Sequence, residues 1–329
     1  MTTHKFTYQF GSVQLAGVSR RGLLASLFGL LAAITAYGAQ AQESARLQPA
    51  DIVYVDSGDA VLGGLVIKVD GRTHEKYVIS AGGLLQMPFG VVIDEDGRII
   101  VSDSGRLIQI DSESGAQRLI ADNSGGNLGW PCGLAKERHG SIVVANLQAV
   151  VRVNLNSRRI QTVSAGGSLL APVCVAVTEQ SEVIVLNLAL PPEIIRVNPN
   201  GTQTIFARGG LLNRPQAIAV HGDHIFVTDV ATADGNFGIG RVIDVDASTG
   251  EQSVAAEGEY LCGPVGLAVD DEGQLIVGDP YIINLDSPDR FDGGIIGINP
   301  VTHEQTLIIR GEGAMINPRG VAIVPSTSR

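Results

Sequence analysis

Residues 88–111 read PFGVVIDEDGRIIVSDSGRLIQID. Pro88 and Gly90 open a strand over Val91–Asp94, Asp96-Gly97 is a hairpin turn, and Arg98–Ser102 and Leu107–Ile110 are two more strands. The opening stretch recurs at Pro88 (PFGVVID), Pro131 (PCGLAKE), Pro172 (PVCVAVT), Pro215 (PQAIAVH), Pro264 (PVGLAVD) and Pro318 (PRGVAIV). The first five start 41 to 49 residues apart and the last gap is 54. A period of this size marks a propeller or a solenoid. The second strand of each unit closes on an acid or its amide, at Asp103, Asn146, Asn187, Asp229 and Asp279. Four of these lie 15 residues after their proline and Asp229 lies 14 after. The third strand ends likewise on Asp111, Asn154, Asn198, Asp246 and Asn299, the residue types that polar turns need.

The two ends of the chain give the ring its closure. Asp51–Val55, Gly64–Val69 and Lys76–Ser80 form a first unit that lacks the proline-led strand, and Asp56 ends its own first strand. The chain stops one strand into a seventh unit. Val321–Val324 is therefore expected to complete the sheet of residues 51–80. The expected fold is all-β, a closed six-bladed β-propeller of four-stranded blades over residues 51–325, with a lead-in at 42–50 and a tail at 326–329. Closure also removes the exposed edges of an open array.

Residues 1–41 read as a signal peptide. Lys5, Arg20 and Arg21 precede an apolar run from Leu23 to Ala36, and Ala39-Gln40-Ala41 is a small-residue cleavage site. The run is shorter than the 18 or so apolar residues of a membrane span. Ser19-Arg20-Arg21-Gly22-Leu23-Leu24 resembles the twin-arginine export motif, with Leu23 where Phe is commoner. The expected location is periplasmic or secreted, and an uncleaved anchor is the alternative. After position 41 stand all 34 acids against 20 Lys and Arg, a net charge of −14. That balance disfavours nucleic acid and anionic membranes as partners. Stable membrane insertion after cleavage is not expected, and a monomer is. The three cysteines form no disulfide framework.

In a blade, the loop from strand two to strand three shares one face with the link to the next blade. That loop is short after Asp103 and Asn146 and long after Asp229 (ATADGNFGIG) and Asp279 (PYIINLDSPDRFDGG). Longer, varied loops point to the ligand face. Six of the ten aromatics after position 41 fall on or beside it: Phe89, Trp130, Phe237, Tyr260, Tyr281 and Phe291. They offer stacking surfaces for a small molecule or a protein, or they pack the links. Arg214, Gln216 and Arg319 stand near the channel mouth, where they grip an anionic ligand or pair with ring carboxylates. The ligand-face candidates are Phe89, Trp130, Gln216, Tyr281 and Arg319.

The Asx ring has two readings. Asn146, Asn187, Asp229 and Asp279 are oxygen ligands for Ca²⁺ or another divalent cation, or each accepts backbone N–H bonds in its own loop. Regular recurrence favours the second. Asp286, Asp289 and Asp292 are a further oxygen cluster without EF-hand spacing. Cys132 and Cys174 lie on opening strands and Cys262 just before one, with no zinc spacing, so buried free thiols are expected. His74, His139, His221, His224 and His303 fall on the opposite face.

Pro264–Asp279 (PVGLAVDDEGQLIVGD) resembles the repeat of the NHL and gluconolactonase-like (SMP-30) six-bladed propellers. The resemblance covers residues 51–325 and implies the fold. For function it implies a choice among lactonases, lyases and non-catalytic scaffolds. Gluconolactonase-like enzymes take a metal ligand from a Glu before an opening proline. Here those positions hold Met87, Trp130, Ala171, Arg214, Gly263 and Asn317. Only the Asn and Asp ligands have counterparts, at Asn146, Asn187 and Asp229. The sequence shows no complete catalytic set, so a binding role for a small molecule or protein leads. A calcium-dependent lactonase or a propeller lyase is the alternative.

Overall fold

The computed structural model describes residues 46–59, 63–126, 128–231, 237–284, 287–311 and 317–325. The signal peptide with its cleavage site at Ala41, the tail at 326–329 and Asp286 lie outside the described residues, as do the side chains of Phe237, Asp289 and Phe291.

Six four-stranded antiparallel sheets make the molecule. Blade two holds Pro88–Ile93, Ile99–Asp103, Arg106–Ile110 and Gln117–Asp122. Blade three runs from Pro131–Glu137 to Ile160–Ala165, blade four from Pro172–Val177 to Gln203–Arg208, and blade five from Pro215–His221 to Gln252–Glu257. Blade six runs from Gly266–Val269 to Gln305–Arg310 and carries an extra hairpin, Ile283–Asn284 with Ser287–Phe291.

Blade one is built from both ends of the chain. Pro318–Ile323 pairs antiparallel with Ile52–Asp59, with Ile323 opposite Ile52 and Pro318 opposite Asp56. The closing strand thus begins three residues earlier than the sequence indicated. Val324 follows it with a backbone bond to Asp51, N to O 2.8 Å. Each innermost strand contacts the next around the circle, and Pro318–Ile323 touches both Pro88–Ile93 and Gly266–Val269. That closes the ring.

The core is distributed rather than central. Six hydrophobic clusters each fill one junction between neighbouring blades. Along Ile52–Asp59, Ile52 and Tyr54 pack toward blade six while Val53 and Val55 pack toward blade two. Both faces of a blade are therefore buried, and its second strand reads as a continuous apolar run, such as Ser141–Asn146, buried at every position. Each fully buried Val or Ile contributes roughly 1.5–3 kcal/mol. Stability is spread evenly around the ring, which leaves the channel mouth and loops free to vary.

Candidate functional site

The site begins with a recurrent clamp. Five prolines sit directly opposite an Asx residue: Pro88 with Asp103, Pro131 with Asn146, Pro172 with Asn187, Pro215 with Asp229 and Pro318 with Asp56. Proline lacks an N–H, so it tolerates this first strand position. The residues just before it retain their N–H groups, and the Asx oxygen accepts them. Asp103 accepts from Gln86 and Met87 at 2.7 and 3.0 Å, and Asp229 from Asn213 and Arg214 at the same distances. Asp279 accepts from Cys262, Gly263 and Tyr281 at 2.7, 2.8 and 2.7 Å. Asn146 and Asn187 each accept one link N–H, from Gly129 and Ala171. Asp56 accepts from Gly58 and Asn317, both at 2.7 Å. Burial pushes the Asp279 carboxyl up to about 6 against the pull of its three N–H donors. Burial likewise raises Asp56, opposed by backbone donors and by Arg319.

Immediately after each of those five prolines the register slips by a bulge. Bulges re-aim side chains. The residue after each of the six opening prolines (Phe89, Cys132, Val173, Gln216, Val265 and Arg319) lines one central cavity of about 270 Å³. The next position must be small, because inner strands crowd there: a Cβ on Gly90 would meet the Cys132 carbonyl at 2.7 Å, and one on Gly266 the Arg319 carbonyl at 2.0 Å. The cavity has a polar side, Gln216 and Arg319, and an apolar side, Phe89, Cys132 and Val173. Trp130 meets Phe89 edge to face, ring centroids 6.2 Å apart at 62°. Arg319 is the one charged residue in the described lining. On the same face Arg106, Arg208 and Arg241 each lie 3.3 to 3.9 Å from a carboxylate. Among the described residues Arg319 has no carboxylate within 4.0 Å.

Beside the cavity, over blades three and four, lies an apolar groove of about 700 Å³. It shares Cys132 and Val173 with the cavity and carries no charged residue in its described lining. Leu147 and Leu170 border it, each 58 % exposed, with Trp130 41 % exposed. Leu188, whose N–H bonds the Ala171 carbonyl at 2.9 Å, is exposed beside it.

The structure brings Phe89, Gln216 and Arg319 into one cavity and adds Trp130 through its contact with Phe89. Tyr281 stands apart: it lies on the blade-six loop with its ring over Gly263, outside the cavity lining. Asn146, Asn187, Asp229 and Asp279 belong to four different blades, and each holds its own link. Among the described residues no group of three or more His, Cys, Asp or Glu is arranged to hold a metal ion. Asp292 is buried at the base of its loop. No disulfide joins the three cysteines, and Cys132 and Cys174 are half-buried because they line the cavity, whereas Cys262 is buried. Burial and the neighbouring Cys174 push the Cys132 thiol up to about 11, so it is a neutral wall group at pH 7. His74, His139 and His303 occupy left-handed turn positions, φ 59°, 65° and 63°. His224 bonds Asp244 at 2.8 Å.

One device escaped sequence reading. Gln117 reaches back to the preceding blade, where it accepts from Leu84 N at 2.6 Å and donates to Gly82 O at 2.9 Å. Gln203, Gln252 and Gln305 do the same for the links at 166–168, 209–211 and 257–260. The signal was present as GGLL at 82–85 and 209–212 and GGSLL at 166–170, paired with a Gln some 35 to 45 residues later.

A chain in the crystal structure of a nidogen/laminin complex superposes with a TM-score of 0.62 over 83 % of this chain and 97 % of that one, at 12 % identity. That likeness shows the fold, a six-bladed β-propeller. No family model matches the chain, and no curated protein matches it. Among the described residues no helix is long and apolar enough to cross a membrane.

Proposed function

We propose that this chain is an exported propeller of the broad NHL and SMP-30 kind, and that it binds a small molecule at the mouth of its central channel. One observation carries the reading: the residue after each opening proline, re-aimed by a bulge in five of the six blades, lines a single cavity with a polar and an apolar side. Such a mixture, mostly apolar with few convergent polar groups, is what ligand pockets share. Export is supported by Arg20-Arg21 before the apolar run and by Ala39-Gln40-Ala41. N-terminal sequencing of the secreted or periplasmic protein should begin at Gln42, and a full-length cytoplasmic product would remove that part of the reading.

The binding part is tested on the full chain with a library of small metabolites. Hits are ranked by the rise in melting temperature that any ligand of the native state produces. Phe89→Ala and Arg319→Ala should abolish the rise for cavity ligands. Val301→Asp, in a turn on the opposite face, should leave it intact. Hits that survive both cavity substitutions would sink the assignment.

A further inference from the structure

The chemistry of the cavity and of the groove beside it points to one ligand class. Arg319 is the one cation in an otherwise uncharged described lining, and it has no ion pair there, unlike Arg106, Arg208 and Arg241 on the same face. The buried Asp56 carboxyl feels the Arg319 charge, but both Asp56 oxygens already accept backbone N–H groups, from Gly58 and Asn317. Gln216 adds an amide to the same side of the cavity. A guanidinium presents a fork of N–H donors that matches a carboxylate, and such charge-assisted bonds are the strong ones.

From the opposite wall the surface runs outward without a charge. Cys132 and Val173 belong to both cavity and groove, so the two adjoin at these residues. Trp130, Leu147 and Leu170 then line the outer part. Exposed apolar residues scattered singly need no explanation, but a contiguous uncharged stripe leading from a lone cation does. We infer that the protein binds a long-chain carboxylate, with its anionic head at Arg319 and Gln216 and its hydrocarbon tail over Cys132 and Val173 into the groove of Trp130, Leu147 and Leu170. The inference rests on the channel-mouth seat proposed above and adds the class of ligand and the path of its tail.

The test uses the full chain and four probes below their micelle concentrations: dodecanoate, dodecanol, butyrate and dodecyltrimethylammonium. Affinity is read by calorimetry, and tail occupancy by the emission of Trp130, the sole tryptophan. Dodecanoate should bind about tenfold or more tighter than dodecanol, the worth of one charge-assisted pair. It should also exceed butyrate by at least about tenfold, since each buried CH₂ adds about 0.8 kcal/mol. It should shift Trp130 emission to the blue, and the cationic probe should bind weakest. Arg319→Met should erase the preference for carboxylate over alcohol. Leu170→Asn should erase the advantage of chain length.

The outcomes separate the two readings. Carboxylates that bind through Arg319 with no gain from chain length would keep the seat and overturn the tail. Dodecanol equal to dodecanoate would overturn the head. No binding by any probe, with library hits still lost in Arg319→Ala, would overturn the ligand class alone. If library hits also ignored Arg319 and Phe89, the seat itself would fall. The probe comparison on the unaltered chain stands even where a variant fails to fold.

Discussion

Blades three and four, between Pro131 and Arg208, share their repeat with blades five and six, between Pro215 and Arg310, but spend it differently. The first pair clamps its links with amides, Asn146 and Asn187, each accepting one link N–H. The second pair uses carboxylates, Asp229 and Asp279, which accept two and three backbone N–H groups. Loops are short in blade three, where Asn146 and Ala149 bound a two-residue turn, and long in blade six, which adds a hairpin. The exposed apolar residues beside the channel nonetheless stand on blades three and four. The difference teaches that loop length and ligand surface are separate properties. The clamp type does not simply follow loop length, since Asp103, beside a two-residue turn in blade two, also accepts two link N–H groups. Short loops leave the links bare, and their leucines face solvent.

The largest expected effect comes from breaking that anchor. Asp279→Ala would leave two buried N–H donors and the half-buried one of Tyr281 without an acceptor, at about 1 kcal/mol or more each, so a loss of about 3 kcal/mol is expected. Asn146→Ala strands one such donor and should cost about 1 kcal/mol. Urea unfolding of the two variants measures both. Equal losses would show that the clamp does not scale with the donors it holds.

This contrast also marks where the sequence was legible. Proline at a strand start and Asx 15 residues on recur because the two are register partners, so strand order and blade number could be read from spacing alone. Ring closure followed from a missing strand at one end and a surplus one at the other. The cavity was partly legible: Phe89, Gln216 and Arg319 were recognisable as channel-mouth residues, but the bulge that aims them has no local signature. The groove was not. Leu147, Leu170 and Leu188 look like core leucines in a pattern where nearly every apolar residue is buried. Loop length drew attention toward Tyr281 instead. The glutamine clasps were hidden by distance, since donor and acceptor lie in consecutive blades.

The Asp and Asn blades should also separate by pH. Asp279 is raised by burial to about 6 from 3.8. A raised carboxyl contributes stability that is fully present below its unfolded value, near 4, and lost as pH rises through about 6. Acidification from pH 7 to 5 should therefore raise the melting temperature through this group, by at most about 1.4 kcal/mol of stability, the worth of the one pH unit between about 6 and 5. Asp56, also raised by burial, acts in the same direction. Asp70 and Asp111, lowered by turn N–H and hydroxyl donors, lose their contribution only below about 4, outside that window. Asp279→Asn, which copies the amide of blades three and four, should flatten the slope between pH 5 and 7. A variant with an unchanged slope would assign the effect elsewhere.

A smaller difference lies in the links themselves. Gly209-Gly210 both have positive φ, 57° and 67°, and a Cβ on Gly210 would meet the Gln252 amide oxygen at 2.9 Å. At the corresponding place between blades five and six stands Glu259, φ 56°. Its clasp is slack: Gln305 accepts from Tyr260 N at 3.3 Å, where Gln252 accepts from Leu211 N at 2.7 Å. Glu259→Gly should gain about 1 kcal/mol by relieving the left-handed backbone, and Gly210→Ala should lose about as much or more. Opposite signs in thermal melts would tie the slackness to the Cβ, whereas matching signs would detach it.

The smallest effect expected is that of calcium. A hard cation of this size needs six to eight oxygens at roughly 2.3–2.6 Å with free lone pairs. Asp103, Asp229 and Asp279 each turn an oxygen to two link N–H groups, and Asn146 and Asn187 turn theirs to one. A cation bridging blades at the mouth would have to take the second carboxylate oxygens, where Asp103 meets Arg106 and Asp279 accepts Tyr281 N, and displacing such a partner costs about 1–3 kcal/mol each. Millimolar Ca²⁺ should thus leave the melting temperature unchanged, in the unaltered chain and in Asp229→Ala alike. The amide blades sharpen the point, because Asn146 and Asn187 bring no charge to offset that cost. A calcium-dependent rise that disappears in Asp229→Ala would reverse the argument. It would make the clamp a ligand set, and a metal-dependent hydrolase would then compete with the binding role.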